Sequence, residues 1–224
     1  MARTYLGHVL PETLAEKVEP RSTALLVIDM QNDFVHDDGH CARSFGRDMV
    51  KGFQSIVPAM ARLIATAREA GVPVVYVKVT QLPDGSLASP VWIAAALRRG
   101  YEPLHCMRDT WGWQIIDELT PQPGDVVVEK TRRSAFHGTV LDSVLRVRGV
   151  RSVVVTGIAA SGCVNSTVRD AIERDYFTIV AADCVADNTV EMTDVGVRNL
   201  AALLAPEDLT TSAELAAIWR GPAG

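Results

Sequence analysis

The chain is poor in cysteine. Four residues of 224, Cys41, Cys106, Cys163 and Cys184, are scattered without a CxxC pair, which excludes a disulfide framework and a thiolate zinc cluster. Long apolar runs are missing as well: nothing approaches the roughly 18 consecutive apolar residues of a membrane span, and no membrane partner is expected. The opening MARTYLGHVLPETLAEKVEP has no continuous apolar stretch, so it does not read as a signal peptide, and a reducing cytoplasm is the expected setting. Basic runs are absent and the net charge is -5, which argues against a nucleic-acid partner. No GxGxxG follows the first apolar run, which removes the dinucleotide fingerprint. There is no internal repeat and no low-complexity segment.

What is present is core. With 48% hydrophobic and 22% charged residues, the composition suits one large folded unit. Residues 1–20 read as an N-terminal arm, with a short helix predicted over 12–18 and stopped by Pro20, and residues 21–224 as one domain. Strands are predicted at 23–28, 74–79, 126–129, 153–155, 178–182 and 209–210. Between them the apolar spacing predicts helices over 48–70, 91–99, 114–119, 140–147, 163–172, 194–204 and 213–219. Strand and helix alternate. This is the pattern of an α/β fold: a three-layer Rossmann-like arrangement with a mainly parallel, doubly wound sheet and helices on both faces.

The sheet brings three residues into question. Val153-Val154-Val155 is a β-branched run that passes through Thr156-Gly157-Ile158-Ala159-Ala160-Ser161-Gly162 into a helix, with Cys163 at the helix start. A helix N-terminus has free N–H groups and a positive dipole end, both favouring a thiolate over a thiol. The alternative is a buried structural cysteine. Asp29 ends the first strand and Lys130 the third. Charged groups at buried strand ends are costly unless paired or functional, and the carboxyl ends of parallel strands form the ligand crevice. Together they make a working set: a nucleophile, a proton acceptor and a cation. Read singly, Asp29 is a cap or ion-pair partner and Lys130 a surface lysine.

Other residues carry weaker signals. Asp33 reads as a turn or cap carboxylate, and Phe34 as core or pocket wall. The run His36-Asp37-Asp38-Gly39-His40-Cys41 fits no metal spacing and reads as a solvated loop. Trp92, Trp111 and Trp113 fall near loops that would roof the crevice; Trp111 is either pocket wall or core. Arg132, Arg133, Phe136 and His137 follow Lys130 closely. A guanidinium there would suit a substrate carboxylate, with surface charge as the alternative.

The blocks ALLVIDMQNDFV (24–35), EKTRRSAFHGT (129–139) and VTGIAASGCVNSTVRDA (155–171) resemble the isochorismatase-like cysteine hydrolase superfamily. Within it the chain is most similar to the N-carbamoylsarcosine amidase and ureidoacrylate amidohydrolase branches. The resemblance implies an Asp29–Lys130–Cys163 triad, a cis peptide at Ile158-Ala159, and an oxyanion hole from the N–H groups of Ala159 and Cys163. It implies hydrolysis of a small amide or carbamoyl compound through a thioester-type intermediate, with ammonia released, in a homodimer or homotetramer. Phe34, Trp111, Arg133 and Phe136 are the expected substrate-binding residues. Isochorismatases proper, which cleave a vinyl ether, carry Gly where Cys163 stands. The Asp-x-His metal motif of nicotinamidases is replaced by Val79-Thr80-Gln81, so neither a metal nor another cofactor is expected. In ureidoacrylate amidohydrolases Asn and Trp occupy the places of Val79 and Gln81. The competing readings are an isochorismatase-type vinyl ether hydrolase and a non-catalytic binding protein on the same scaffold.

Overall fold

The computed structural model describes residues 3–221. An antiparallel hairpin, β1 (Arg3–Tyr5) and β2 (His8–Leu10), precedes everything else and is exposed along its whole length. The short helix Leu14–Lys17 follows, closed by a Thr13/Glu16 capping box, in which each partner satisfies a free N–H of the other's backbone. This part of the arm packs on its own domain: Lys17 pairs with Glu207 and Asp208 at 3.2 and 2.6 Å, and Trp219 donates to the Val18 carbonyl.

The main sheet has six strands, all parallel: β3 (Thr23–Ile28), β4 (Val74–Val79), β5 (Val126–Lys130), β6 (Ser152–Ile158), β7 (Phe177–Ala186) and β8 (Leu209–Thr210), in the order β5-β4-β3-β6-β7-β8. Strand side chains alternate between faces, and here the alternation splits the core in two. Leu25 and Val27 of β3 join Val74 and Tyr76, with Met60, Leu63 and Ile64 of helix Val57–Glu69 and Leu215 of helix Ser212–Arg220. Ala24, Leu26 and Ile28 join Val75, Val77, Leu141 and Val168 on the opposite face. Both faces of β3 are covered, and the strand is buried throughout, as a near-continuous apolar run in a parallel sheet requires. No helix among the described residues is long and apolar enough to cross a membrane.

Several local expectations are corrected. The single helix predicted over 48–70 is two, Asp48–Ser55 and Val57–Glu69. Pro58 has no N–H to continue the first helix and suits the first turn of a new one. The segment predicted as a helix over 114–119 is instead crossed by 3₁₀ turns, Trp111–Trp113 and Asp117–Leu119. The solvated loop expected over 36–41 is a loop at 36–39, exposed at 36–38, but it ends earlier than expected: a helix begins at His40, which is buried. The fifth strand runs on past residue 182 to Ala186, because the pairing with β6 resumes at Gly157↔Val185 and Ile158↔Ala186 after a register shift.

Candidate active site

Register decides which strand ends meet. Ile28 pairs with Val77 and Gly157, and Val79 pairs with Lys130, so Asp29, Lys130 and the residues after Ile158 emerge at one edge. Gly157 is forced by this closeness. Its φ is +113°, and a Cβ there would lie 2.1 Å from the Ile28 carbonyl oxygen.

Lys130 Nζ lies 2.9 Å from Asp29 Oδ2 and 3.3 Å from Cys163 Sγ, and donates to the Arg132 carbonyl at 3.1 Å. Both charged groups are buried. Burial pushes the Asp29 carboxyl above the usual carboxylate range, while Lys130 pulls it back down. Burial lowers the Lys130 ammonium, but Asp29 and the Cys163 sulfur outweigh this and the net direction is up. For Cys163, burial first and the Asp29 carboxylate second push the thiol up to about 12, against the pull of Lys130. This direction runs against the thiolate preference expected from a helix start: desolvation and the neighbouring carboxylate oppose the help from the cation. The arrangement puts a thiol, a carboxyl and an ammonium group within reach of one another in a buried place.

Cys163 sits in a π-type turn, Ala160–Val164, that leads into helix Asn165–Ile172. The Ile158-Ala159 peptide is cis. The turn is held from outside. Asp187 Oδ2 accepts from the Ser161 N–H and hydroxyl at 2.8 and 2.7 Å. Helix Val190–Ala201 packs so close that a Cβ on Gly196 would come within 2.6 Å of the Ala160 Cβ.

Two cavities meet at Cys163 and Phe34. One, of about 210 Å³, is bounded by Asp29, Phe53, Ile158, Ala159, Asp187 and Asn188, with Cys41 and Met49 beside them. The other, of about 290 Å³, runs past Val79 and Trp92 to Arg99, Tyr101, His105 and Arg133. His105 is edge-on to Phe34 at 5.2 Å between ring centres, and burial pulls its pKa down to about 4, so it is uncharged near neutrality. The cations of this arm are Arg99 and Arg133, the latter 6.0 Å from the Trp92 ring centre.

A family model described as the isochorismatase domain matches residues 23–214. Ureidoacrylate amidohydrolase of Methylobacterium radiotolerans is 39% identical over 183 residues, covering 77% of this chain and 69% of that protein. The chain belongs to the isochorismatase family. The fold agrees. An isochorismatase family protein from Desulfovibrio vulgaris matches at a TM-score of 0.75 and 33% identity, over 87% of this chain and 96% of that one. N-carbamoylsarcosine amidase from Thermoplasma acidophilum matches at 0.67 and 33%, over 85% and 96%.

For this member of the isochorismatase family, the structure gathers Asp29, Lys130, Cys163, Ala159, Phe34 and Arg133 around one space. Two expected substrate residues lie elsewhere. Trp111 is 45% exposed and edges onto His36; it lines neither cavity. Phe136 is buried in the core, stacked on Tyr176, because the segment after Lys130 turns its apolar side chains inward. Of the remaining candidates, Arg132 donates to the Leu87 and Thr131 carbonyls, and His137 is exposed. Asp33 holds two loops together by accepting from the His40 and Cys106 N–H groups at 3.1 and 2.7 Å, in keeping with its reading as a turn carboxylate.

Arg99, Asp187 and Asn188 also line the two cavities, and the sequence reading did not single them out. Asp187 obeys the same rule as Asp29 and Lys130, a charge just past a strand's carboxyl end. The predicted strand stops at residue 182, which leaves Asp187 inside an exit loop and away from any strand end. Arg99 is simply the last residue of the helix predicted over 91–99.

Proposed function

We propose that this protein is a cysteine-dependent amidohydrolase that cleaves a small carbamoyl (ureido) or amide compound with an anionic tail and releases ammonia. The observation that carries the proposal is the buried contact set Asp29–Lys130–Cys163 at the junction of two cavities, one of them ending in arginines. The names of the similar proteins support the substrate class.

Asp29 takes the thiol proton as Cys163 Sγ bonds to the substrate carbonyl carbon. The oxygen becomes an oxyanion, held by the N–H groups of Ala159 and Cys163. The C–N bond then breaks and the proton on Asp29 passes to the departing nitrogen, giving ammonia. A water adds to the resulting thioester or thiocarbamate carbon, its proton goes to Asp29, and the C–S bond breaks as sulfur recovers the proton. Lys130 stays charged throughout and keeps Asp29 in place and ionised between steps. No resident metal or cofactor enters the scheme. Phe34 packs against the reacting group, and Arg133 with Arg99 pairs with the anionic tail.

The exposed apolar residues Tyr5, Leu6 and Val9 of the hairpin form a contact for a second copy in a homodimer or homotetramer. Residues 1–20 thus serve as an arm to the catalytic domain 21–224. Its free thiols suit a cytoplasmic enzyme. Ammonia release should be followed across ureido acids, carbamoyl amino acids and neutral primary amides such as nicotinamide. Ureido and carbamoyl acids should give the highest kcat/KM. No ammonia from any of them, or a neutral amide turned over as well, would overturn the proposal.

A further inference from the structure

The arm that holds Asp29 differs from the arm that holds the arginines. Its walls are apolar at Phe34, Met49, Phe53 and Ile158. Beside the N–H groups of Ala159 and Cys163, its polar side chains are the carboxylates of Asp29 and Asp187 and the amide of Asn188. Asp187 is saturated by Ser161 on Oδ2 and by the Asn188 N–H, at 2.8 Å, on Oδ1. The side-chain carbonyl Oδ1 of Asn188 is buried and has no hydrogen-bond partner among the described residues, and the same is true of Asp29 Oδ1. A buried unsatisfied acceptor carries a desolvation cost until a donor reaches it. These two unpartnered acceptors favour a ligand that brings N–H groups to them and disfavour negative charge beside them. The other arm, with Arg99 and Arg133, asks for the opposite.

We propose that Asn188 is a specificity residue: it accepts an N–H from the departing amide nitrogen and so sets the direction in which the substrate lies across Cys163. The –NH2 end points to Asn188 and Asp29, the carbonyl carbon rests at Cys163, and the anionic end lies against Arg99 and Arg133. Asp187 fixes both Ser161 on the nucleophile turn and the Asn188 backbone, so the acceptor is held in register with the thiol. This orientation rests on the function proposed above. The recognition of N–H groups by Asn188 does not, because it follows from the cavity alone.

Two measurements separate them. The first uses turnover of a ureido acid and of its methyl carbamate counterpart, whose departing group is methoxide and has no N–H. Asn188→Leu, of similar size, should lower kcat/KM for the ureido acid by about 10- to 100-fold and for the carbamate by under about threefold. Asn188→Asp, which keeps an acceptor, should retain the preference for the N–H substrate. The second needs no substrate: alkylation of Cys163 by iodoacetamide and by methyl iodoacetate, followed by peptide mapping. Asn188→Leu should slow iodoacetamide by about tenfold and methyl iodoacetate by far less. Equal losses for both members of a pair, or none for either, would overturn the role of Asn188. If the wild type hydrolyses neither carbamoyl compound while the alkylation pair still splits, the proposed function falls and the Asn188 recognition stands.

Discussion

Asp29 and Asp33 leave the same central strand on the same short segment, and both are buried, at 2% and 8% exposure. Their surroundings differ. Asp33 receives one N–H on each oxygen, from His40 and from Cys106, with Arg43 a further 3.7 Å from Oδ1. Asp29 has a single strong partner, Lys130, and its Oδ1 accepts no hydrogen bond among the described residues. The first carboxylate is satisfied: each of its oxygens accepts from a backbone N–H, and these bonds tie together the loops around the site. The second is left incomplete beside a thiol. Buried acceptors fully satisfied by the chain serve the fold; those left partly unsatisfied beside a nucleophile serve chemistry.

The largest expected effect breaks the second half of that contrast. Asn at Asp29 keeps the shape but removes the proton acceptor, and kcat should fall by about 10²- to 10⁴-fold. Steady-state kinetics of Asp29→Asn, with circular dichroism to confirm folding, checks it. Activity within tenfold of the wild type would make Asp29 a structural ion-pair partner like any other.

Asp33→Ala should reverse the pattern. It leaves the His40 and Cys106 N–H groups unmet, which lowers stability by about 2–4 kcal/mol, measured by urea denaturation. The folded fraction should lose less than tenfold in kcat, because Asp33 touches no reacting atom.

The smallest effect concerns the thiol's titration. With Cys163 pushed up to about 12, its alkylation by iodoacetamide should keep rising through pH 7–10 without a plateau. The carboxylate disfavours the thiolate, so Asp29→Asn should move the profile to lower pH. The ammonium favours it, so Lys130→Met should move the profile to higher pH. Peptide mapping across the pH series reads both shifts, and an unmoved profile in either variant would disconnect that residue from the sulfur.

Much of this was legible because parallel α/β sheets obey simple local rules. Apolar β-branched runs marked the strands, and charges directly after them marked one edge of the sheet: Asp29, Lys130 and Cys163 were singled out from residue type and position, and the fold brings them together. The rules weakened where local pattern and long-range pairing disagree. Strand β7 outran its apolar run because β6 resumed pairing after a shift, and this hid Asp187 and Asn188. Phe136 lies so near Lys130 in sequence that it seemed to belong to the pocket, yet the turn after Lys130 carries it into the core.

The sequence by itself determined the order of the six sheet strands, the buried centre of the sheet and the candidate reactive groups, since each depends on side-chain chemistry and on periods of two or 3.6 residues. Tertiary structure alone decided the state and surroundings of those groups. Whether a thiol at a helix start is ionised depends on how much water is excluded and on which charge stands nearest, and both are properties of packing between distant segments. The same holds for the two arms that meet at Cys163. Their opposite polarity arises because Asn188 follows the end of β7 and Arg99 the end of the helix Pro90–Arg98, a juxtaposition that no local stretch of sequence contains.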